Sequence, residues 1–185
     1  MVILLLAPGF EESEAIVPCD LMRRAGIDVQ TVAVQDSLTV EGSHGIRVCA
    51  DMLLRDLPSS LPEMLVLPGG LRGVENLKKS SEVLRLIRET WNGGKFLAAI
   101  CAAPTILSSI GITDQKQCVC YPGMEQHMDG ASVQNDSVCR DGNLITGRAA
   151  GSSFAFGLAL VSAIKGTETA RKVASGAVIY GEKYV

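Results

Sequence analysis

The chain has 185 residues, 47% hydrophobic and 20% charged, with a formal net charge of −3. That length and composition suit one compact domain with a sizeable core, and a small acidic excess without a basic run argues against direct nucleic-acid binding. No stretch reaches the ~18 consecutive apolar residues of a membrane span, and Met1-Val2-Ile3-Leu4-Leu5-Leu6-Ala7-Pro8 lacks the basic leader and cleavage region of a signal peptide.

Val2–Ala7 is a continuous apolar run, the pattern of a parallel strand buried on both faces. Pro8-Gly9-Phe10 breaks it. Glu11-Glu12-Ser13-Glu14 then opens a helix to about Ala25, with Gly26 at the C′ position and early carboxylates that suit the helix dipole. Pro18 cannot donate to the Glu14 carbonyl as a regular helical residue would. Either the helix starts near Glu14 or its first turn is distorted, and both options put Glu14 at the helix mouth. Ile27–Val34 reads as a second strand, and Leu38–Glu41 and Ile46–Ala50 as a hairpin around Gly42-Ser43-His44-Gly45. Asp51–Leu61 is a connection with a short helical turn. Met64–Leu67 is another buried strand, closed by Pro68-Gly69-Gly70, where glycines let backbone N–H groups approach a ligand.

Ser81 is expected to cap a helix over Glu82–Asn92, with Val83, Leu84, Ile87 and Trp91 on one face. Phe96–Ile100 is a buried strand, and residues 102–109 read as a helix. Gln117–Cys120 is a strand ended by Tyr121-Pro122-Gly123. Ser137–Arg140 and Asn143–Thr146 form a hairpin through Asp141-Gly142. Ser152–Lys165 is a long apolar helix, and Thr167 caps a last helix to about Ser175; Val178-Ile179-Tyr180 is ambiguous. Alternating strands and helices predict a three-layer α/β domain with a mostly parallel sheet and right-handed crossovers.

Cys101 stands where the Phe96–Ile100 strand turns into the next helix through small residues, Ala98-Ala99-Ile100-Cys101-Ala102-Ala103-Pro104. That is the pattern of a nucleophile elbow. Helix N–H groups there favour a thiolate, so the thiol is expected to ionise more readily than a free one; the alternative is a core cysteine acting as a small hydrophobe. Ligands of such sheets bind beyond the carboxyl ends of the strands, where Glu14, Gly69-Gly70 and Cys101 all fall. A thiolate could attack a carbonyl there. The Gly70 and Ala102 N–H groups would hold the developing oxyanion. Glu14 beside sulfur would ionise late and act as acid or base; otherwise it is an exposed carboxylate of a helix start. The cysteines at 19, 49, 101, 118, 120 and 139 contain no C-x-x-C pair. They read as free thiols of a reducing cytoplasm, with no metal site and no cofactor expected.

The motifs P-G-x-E-E-x-E (8–14), M-R-R-A-G-I (22–27), V-L-P-G-G (66–70), A-A-I-C-A-A-P (98–104) and G-x-S-F-x-F-x-L (151–158) occur in this order along nearly the whole chain. By them the chain resembles the ThiJ/PfpI superfamily, in the branch of the Parkinsonism-associated deglycase and bacterial YajL. The resemblance implies a flavodoxin-like sandwich, usually a homodimer. It matches Cys101 to the family's oxidisable cysteine, Glu14 to its carboxylic partner, and Gly70 and Ala102 to the backbone donors. The activities it implies are glyoxalase-type conversion of methylglyoxal to lactate, deglycation of proteins or nucleotides, and oxidative-stress sensing or chaperoning. A thiamine-biosynthesis role rests on the old family name alone, without a phosphate-binding motif.

Two departures narrow this. Tyr121 stands where the deglycase has a histidine before the proline, which argues against a Cys–His dyad. Ala102 follows Cys101 where the peptidase branch has histidine, which argues against a peptidase or an amidotransferase triad. His44, in the hairpin loop where the family often has arginine, and His127, in a polar segment, read as surface residues. Arg148, at a strand end before the 152–165 helix, could bind an anion or make a subunit contact.

Overall fold

The computed structural model describes residues 1–181. In chain order the elements are β1 (Val2–Leu6), α1 (Glu12–Arg24), β2 (Val29–Ala33), β3 (Thr39–Glu41), β4 (Arg47–Cys49), β5 (Met52–Leu53), β6 (Met64–Leu67), α2 (Leu71–Lys79) and α3 (Ser81–Asn92). There follow β7 (Phe96–Ile100), α4 (Pro104–Ser108), β8 (Gln117–Cys118), β9 (Ser132–Val133), β10 (Val138–Asp141), β11 (Leu144–Gly147), α5 (Ser153–Lys165) and α6 (Thr167–Gly176). Seven strands form the central sheet in the order β10-β11-β7-β6-β1-β2-β5. Every pairing is parallel except β10 with β11, so the architecture is a three-layer α/β sandwich with a mostly parallel sheet. No helix of the described residues is long and apolar enough to cross a membrane.

The sheet is buried on both faces because its central strands are apolar at every position. In β1, Leu4 and Leu6 face the layer that holds Leu21 and Met22 of α1 and Phe156 and Leu160 of α5. Ile3 and Leu5 face Leu77 of α2, Ile87 of α3 and Leu107 of α4. This is the period-two alternation of a strand with helices on either side. Gly157 lets α1 and α5 close up: a Cβ there would lie 2.9 Å from the Pro18 Cα.

Local expectations are revised at several places. Helix α1 starts at Glu12, capped by the Glu11 carboxylate, which accepts from the Glu14 N–H at 2.7 Å. Pro18 is therefore inside the helix. Residues 71–79, to which the sequence pattern assigns no element, form α2. Its buried face is only Gly73, Val74 and Leu77, and a Cβ on Gly73 would meet the Phe10 backbone at 2.8 Å. Ser80, not Ser81, caps α3. In α3, Leu86 and Thr90 are buried while Leu84 and Trp91 are only half-buried. Gly166, not Thr167, precedes α6 as its cap residue. The strand expected over 117–120 stops at Cys118 and pairs with β9 in a separate sheet, because the Val119 N–H donates instead to Thr146 Oγ1 at 2.8 Å.

Candidate active site

Strand β7 ends at Ile100, and the next residue, Cys101, has φ +67°. For a side chain with a Cβ this left-handed conformation costs about 1–2 kcal/mol. Backbone hydrogen bonds on either side hold it: the Cys101 N–H donates to the Gly147 carbonyl at 2.9 Å, and the Tyr121 N–H donates to the Cys101 carbonyl at 2.8 Å. The elbow is thus fixed by β11 and by the turn after β8. The helix behind it is shorter than expected, starting at Pro104 and spanning five residues, so its dipole is a weak source of thiolate stabilisation.

The Pro68-Gly69-Gly70 turn lies against the elbow from β6. Gly69 fills the gap between two side chains: a Cβ there would be 2.4 Å from Glu14 Oε2 and 2.6 Å from the Cys101 Cβ. Gly70 has φ +84° and leads into α2; a Cβ there would meet the Gly9 carbonyl oxygen at 2.4 Å. Glu14 reaches this point from the first turn of α1 and is 1% exposed. Its Oε2 accepts from the Gly69 N–H at 2.9 Å, and its Oε1 is buried without a hydrogen-bond partner. An acceptor oxygen left in that position favours the protonated acid, which turns the oxygen into a donor.

Burial pushes the Glu14 carboxyl up to about 7, against the pull of the adjacent Cys101 thiol and the Gly69 N–H. Burial and the neighbouring Glu14 charge push the Cys101 thiol up to about 12, while the Gly70 and Ala102 N–H groups pull it down. The expected easy ionisation of an isolated thiol is corrected accordingly. Glu14 and Cys101 titrate as one buried pair. The pair loses its first proton near 7 and resists losing the second, because two like charges would share one desolvated site.

A cleft of about 710 Å³ opens over this pair, lined by Glu11, Glu14, His44, Gly70, Cys101, Ala102 and Tyr121 among others. Tyr121 is half exposed at its rim. His44 is exposed on the hairpin between β3 and β4, yet it is not free. Its Nδ1 lies 2.7 Å from Glu12 Oε2 and its N–H donates to Glu12 Oε1 at 2.7 Å. That bond raises the His44 imidazole, and the hydrogen bonds from His44 and Ser43 outweigh burial to hold Glu12 down at about 2. Glu12 is itself only 7% exposed, a buried partner that sequence reasoning missed. The Glu11-x-x-Glu14 capping spacing was the available signal for Glu11; Glu12 carried none. Glu11, Glu12 and His44 are the one group among the described residues whose ligand atoms lie within 4.8 Å of one another, but Glu12 and His44 already satisfy each other. Arg148 does not join the lining. Its Nη1 donates to Asn135 Oδ1, and its charge only partly offsets the burial that pushes the Cys120 thiol up to about 11. His127 is exposed in a 3₁₀ turn.

A mostly parallel α/β sheet with a strained cysteine elbow and a buried carboxyl group beside it defines a class of small cysteine-centred α/β proteins. The chain belongs to the DJ-1/PfpI family, whose model matches residues 1–163. It is 36% identical over 179 residues to Protein dj-1beta of Drosophila melanogaster, covering 96% of each chain. It is 29% identical over 166 residues to a deglycase of Pyrococcus abyssi, covering 89% of this chain and 99% of that one. The crystal structure of Drosophila melanogaster DJ-1beta superposes with a TM-score of 0.93 at 36% identity, covering 97% of this chain and 98% of that one.

Proposed function

We propose that the protein is a cofactor-independent glyoxalase or deglycase acting on α-oxoaldehydes or their adducts with proteins or nucleotides. The observation that carries this reading is the buried Glu14 carboxyl, with Oε1 unpartnered, set against Cys101. The naming of a relative as a deglycase agrees with it. With methylglyoxal, the Cys101 sulfur adds to the aldehyde carbon and the new oxygen is protonated, giving a hemithioacetal. The Gly70 and Ala102 N–H groups stabilise the oxygen while it is negative. Glu14 takes the proton from that carbon and returns it to the neighbouring carbonyl carbon through an enediol. The first carbon is oxidised and the second reduced, so no external oxidant is needed. The resulting thioester is hydrolysed by water to lactate and the free thiol. The route uses a single acid–base group and no histidine at position 121.

Because the pair loses its first proton at about 7, Cys101 alkylation by iodoacetamide and lactate formation are both expected to rise with pH through that value. Glu14→Gln should remove the inflection from the alkylation profile. An unchanged inflection in the Gln variant would refute the pairing.

A second reading rests on the hydrogen-bond donors around the Cys101 sulfur. Cys101 is half-buried, Cys49 is exposed, and the remaining cysteines are buried. A sulfinate on Cys101 would accept from the Gly70 and Ala102 N–H groups and from a protonated Glu14, the setting of a redox sensor or stress-responsive chaperone. Graded peroxide with intact-mass analysis and peptide mapping is expected to show the sulfinate on Cys101 before Cys49 is modified. Oxidation of Cys49 first would end this reading.

A further inference from the structure

The Cys101 cleft, at about 710 Å³, has room for far more than a three-carbon aldehyde; roughly 300–1,000 Å³ is the range for drug-sized ligands. Its charged lining is Glu11, Glu14, Glu41, His44 and Arg72. Most of these groups are engaged. Glu11 accepts from Ser13 and from the Glu14 N–H, Glu14 accepts from Gly69, Glu41 pairs with Arg47, and His44 pairs with Glu12. Among the described residues, Arg72 is the charged group of the lining with neither an ion pair nor a side-chain hydrogen bond.

Arg72 stands in the first turn of α2, two residues beyond Gly70. Its stem lies on Gly9: a Cβ on that glycine would be 2.7 Å from the Arg72 Cβ and 3.1 Å from its Cδ. The β1–α1 loop thus beds the stem, while the residue as a whole stays exposed. Arg72 also lines a neighbouring groove of about 580 Å³ with Asn76 and Lys79. The three residues follow the i, i+4, i+7 spacing of one helix face, and Asn76 is anchored to the Pro8 carbonyl at 2.8 Å. That groove also holds Glu82 and the Arg55–Asp36 ion pair, so the cation it shares with the Cys101 cleft is Arg72. The carboxyl groups of Glu11, Glu14 and Glu41 would repel an anionic substrate, and a guanidinium with an unused fork is the group that offsets them.

The geometry points to Arg72 as a specificity-determining residue that binds an anionic oxygen group, phosphate or carboxylate, at the far end of an α-oxoaldehyde whose aldehyde carbon reaches Cys101. The substrate class rests on the carbonyl-addition reading above; the charge preference at Cys101 does not.

The test compares Cys101 alkylation by iodoacetate, an anion, with alkylation by iodoacetamide, its neutral counterpart. The rate ratio is expected to fall about tenfold in Arg72→Gln and to be largely kept in Arg72→Lys. Arg88→Gln, which removes an exposed cation of α3, should leave the ratio at the wild-type value. An unchanged ratio in Arg72→Gln, or an equal fall in Arg88→Gln, overturns the assignment. A second arm measures kcat/KM for methylglyoxal, hydroxypyruvaldehyde phosphate and 4,5-dioxopentanoate. Wild type should prefer one of the two anions at least tenfold over methylglyoxal, which identifies the group bound, and Arg72→Gln should lose that preference. Equal kcat/KM for all three in wild type overturns the substrate class. If no substrate yields a hydroxy acid while the alkylation ratio still depends on Arg72, the enzyme reading fails and the anion preference stands.

Discussion

Cys101→Ser is expected to reduce lactate formation from methylglyoxal by roughly a thousandfold or more, because a serine hydroxyl is not ionised by anything in this site. Glu14→Gln should lose about 10²–10⁴-fold, the usual contribution of a positioned acid or base. The losses should not add. Once sulfur is gone there is no hemithioacetal for Glu14 to act on, so the double variant should match Cys101→Ser alone. Equal rates in wild type and both single variants would remove the mechanism. Glu14→Gln also has a stability signature that a purely structural role would not share. The Glu14 pKa is raised from 4.5 to about 7 on folding, so its contribution to stability is fully present below pH 4.5 and is lost as pH rises through 7. The Gln variant never acquires the buried charge. Its Tm, relative to wild type, should therefore increase between pH 5 and pH 8. A difference that shrinks over this range would mean that Glu14 ionises in the ordinary acid range.

Gly69→Ala should strike the acid–thiol pair directly. The added Cβ would sit 2.4 Å from Glu14 Oε2, 2.6 Å from the Cys101 Cβ and 3.0 Å from the Ile100 carbonyl oxygen. The Glu14 carboxylate is a side-chain end, but a buried and tethered one, and the other two are a Cβ and a backbone oxygen. Glu14 is hydrogen-bonded to the Gly69 N–H itself, and Cys101 is fixed at positive φ by β11 and the Tyr121 turn. Overpacking of this kind costs about 1–3 kcal/mol, which for a chain of this size lowers Tm by roughly 2–12 °C. The same displacement should separate sulfur from carboxyl, so alkylation of Cys101 should lose its inflection near pH 7. Gly176→Ala is the matched control: a Cβ there meets nothing within 4 Å, and Tm should stay within a degree or two. If Gly69→Ala is as harmless as Gly176→Ala, the tight packing of Gly69 between acid and thiol is wrong.

The parts of this fold that were legible along the chain are those with strong local patterns. The apolar runs of β1, β6 and β7 read as buried parallel strands because both sheet faces are covered. The Cys101 elbow stood out because a strand ending in small residues leaves few conformations for the residue that follows. Helix α2 escaped because Gly73 resembles a breaker, whereas it is the contact point with the Phe10 backbone. Strand β5, two residues long, is too short for any periodicity to register and forms only because β2 offers an open edge. Caps shifted by one residue at Ser80 and Gly166 because neighbouring polar and small residues compete for the same role.

The buried strands β1, β6 and β7, the elbow and the turn glycines follow from the sequence by itself, since alternation, apolar runs and small residues act on neighbouring positions. The tertiary structure decided what the acids do. Glu11, Glu12 and Glu14 are nearly identical as local sequence, three carboxylates at a helix start. Folding makes Glu11 a cap, Glu12 the anion under His44, and Glu14 a buried acid beside sulfur. Their pKa values of about 2 for Glu12 and about 7 for Glu14 diverge because desolvation and through-space fields depend on which distant segments pack against each group. Those segments are the hairpin loop for one and the Gly69 and Cys101 turns for the other.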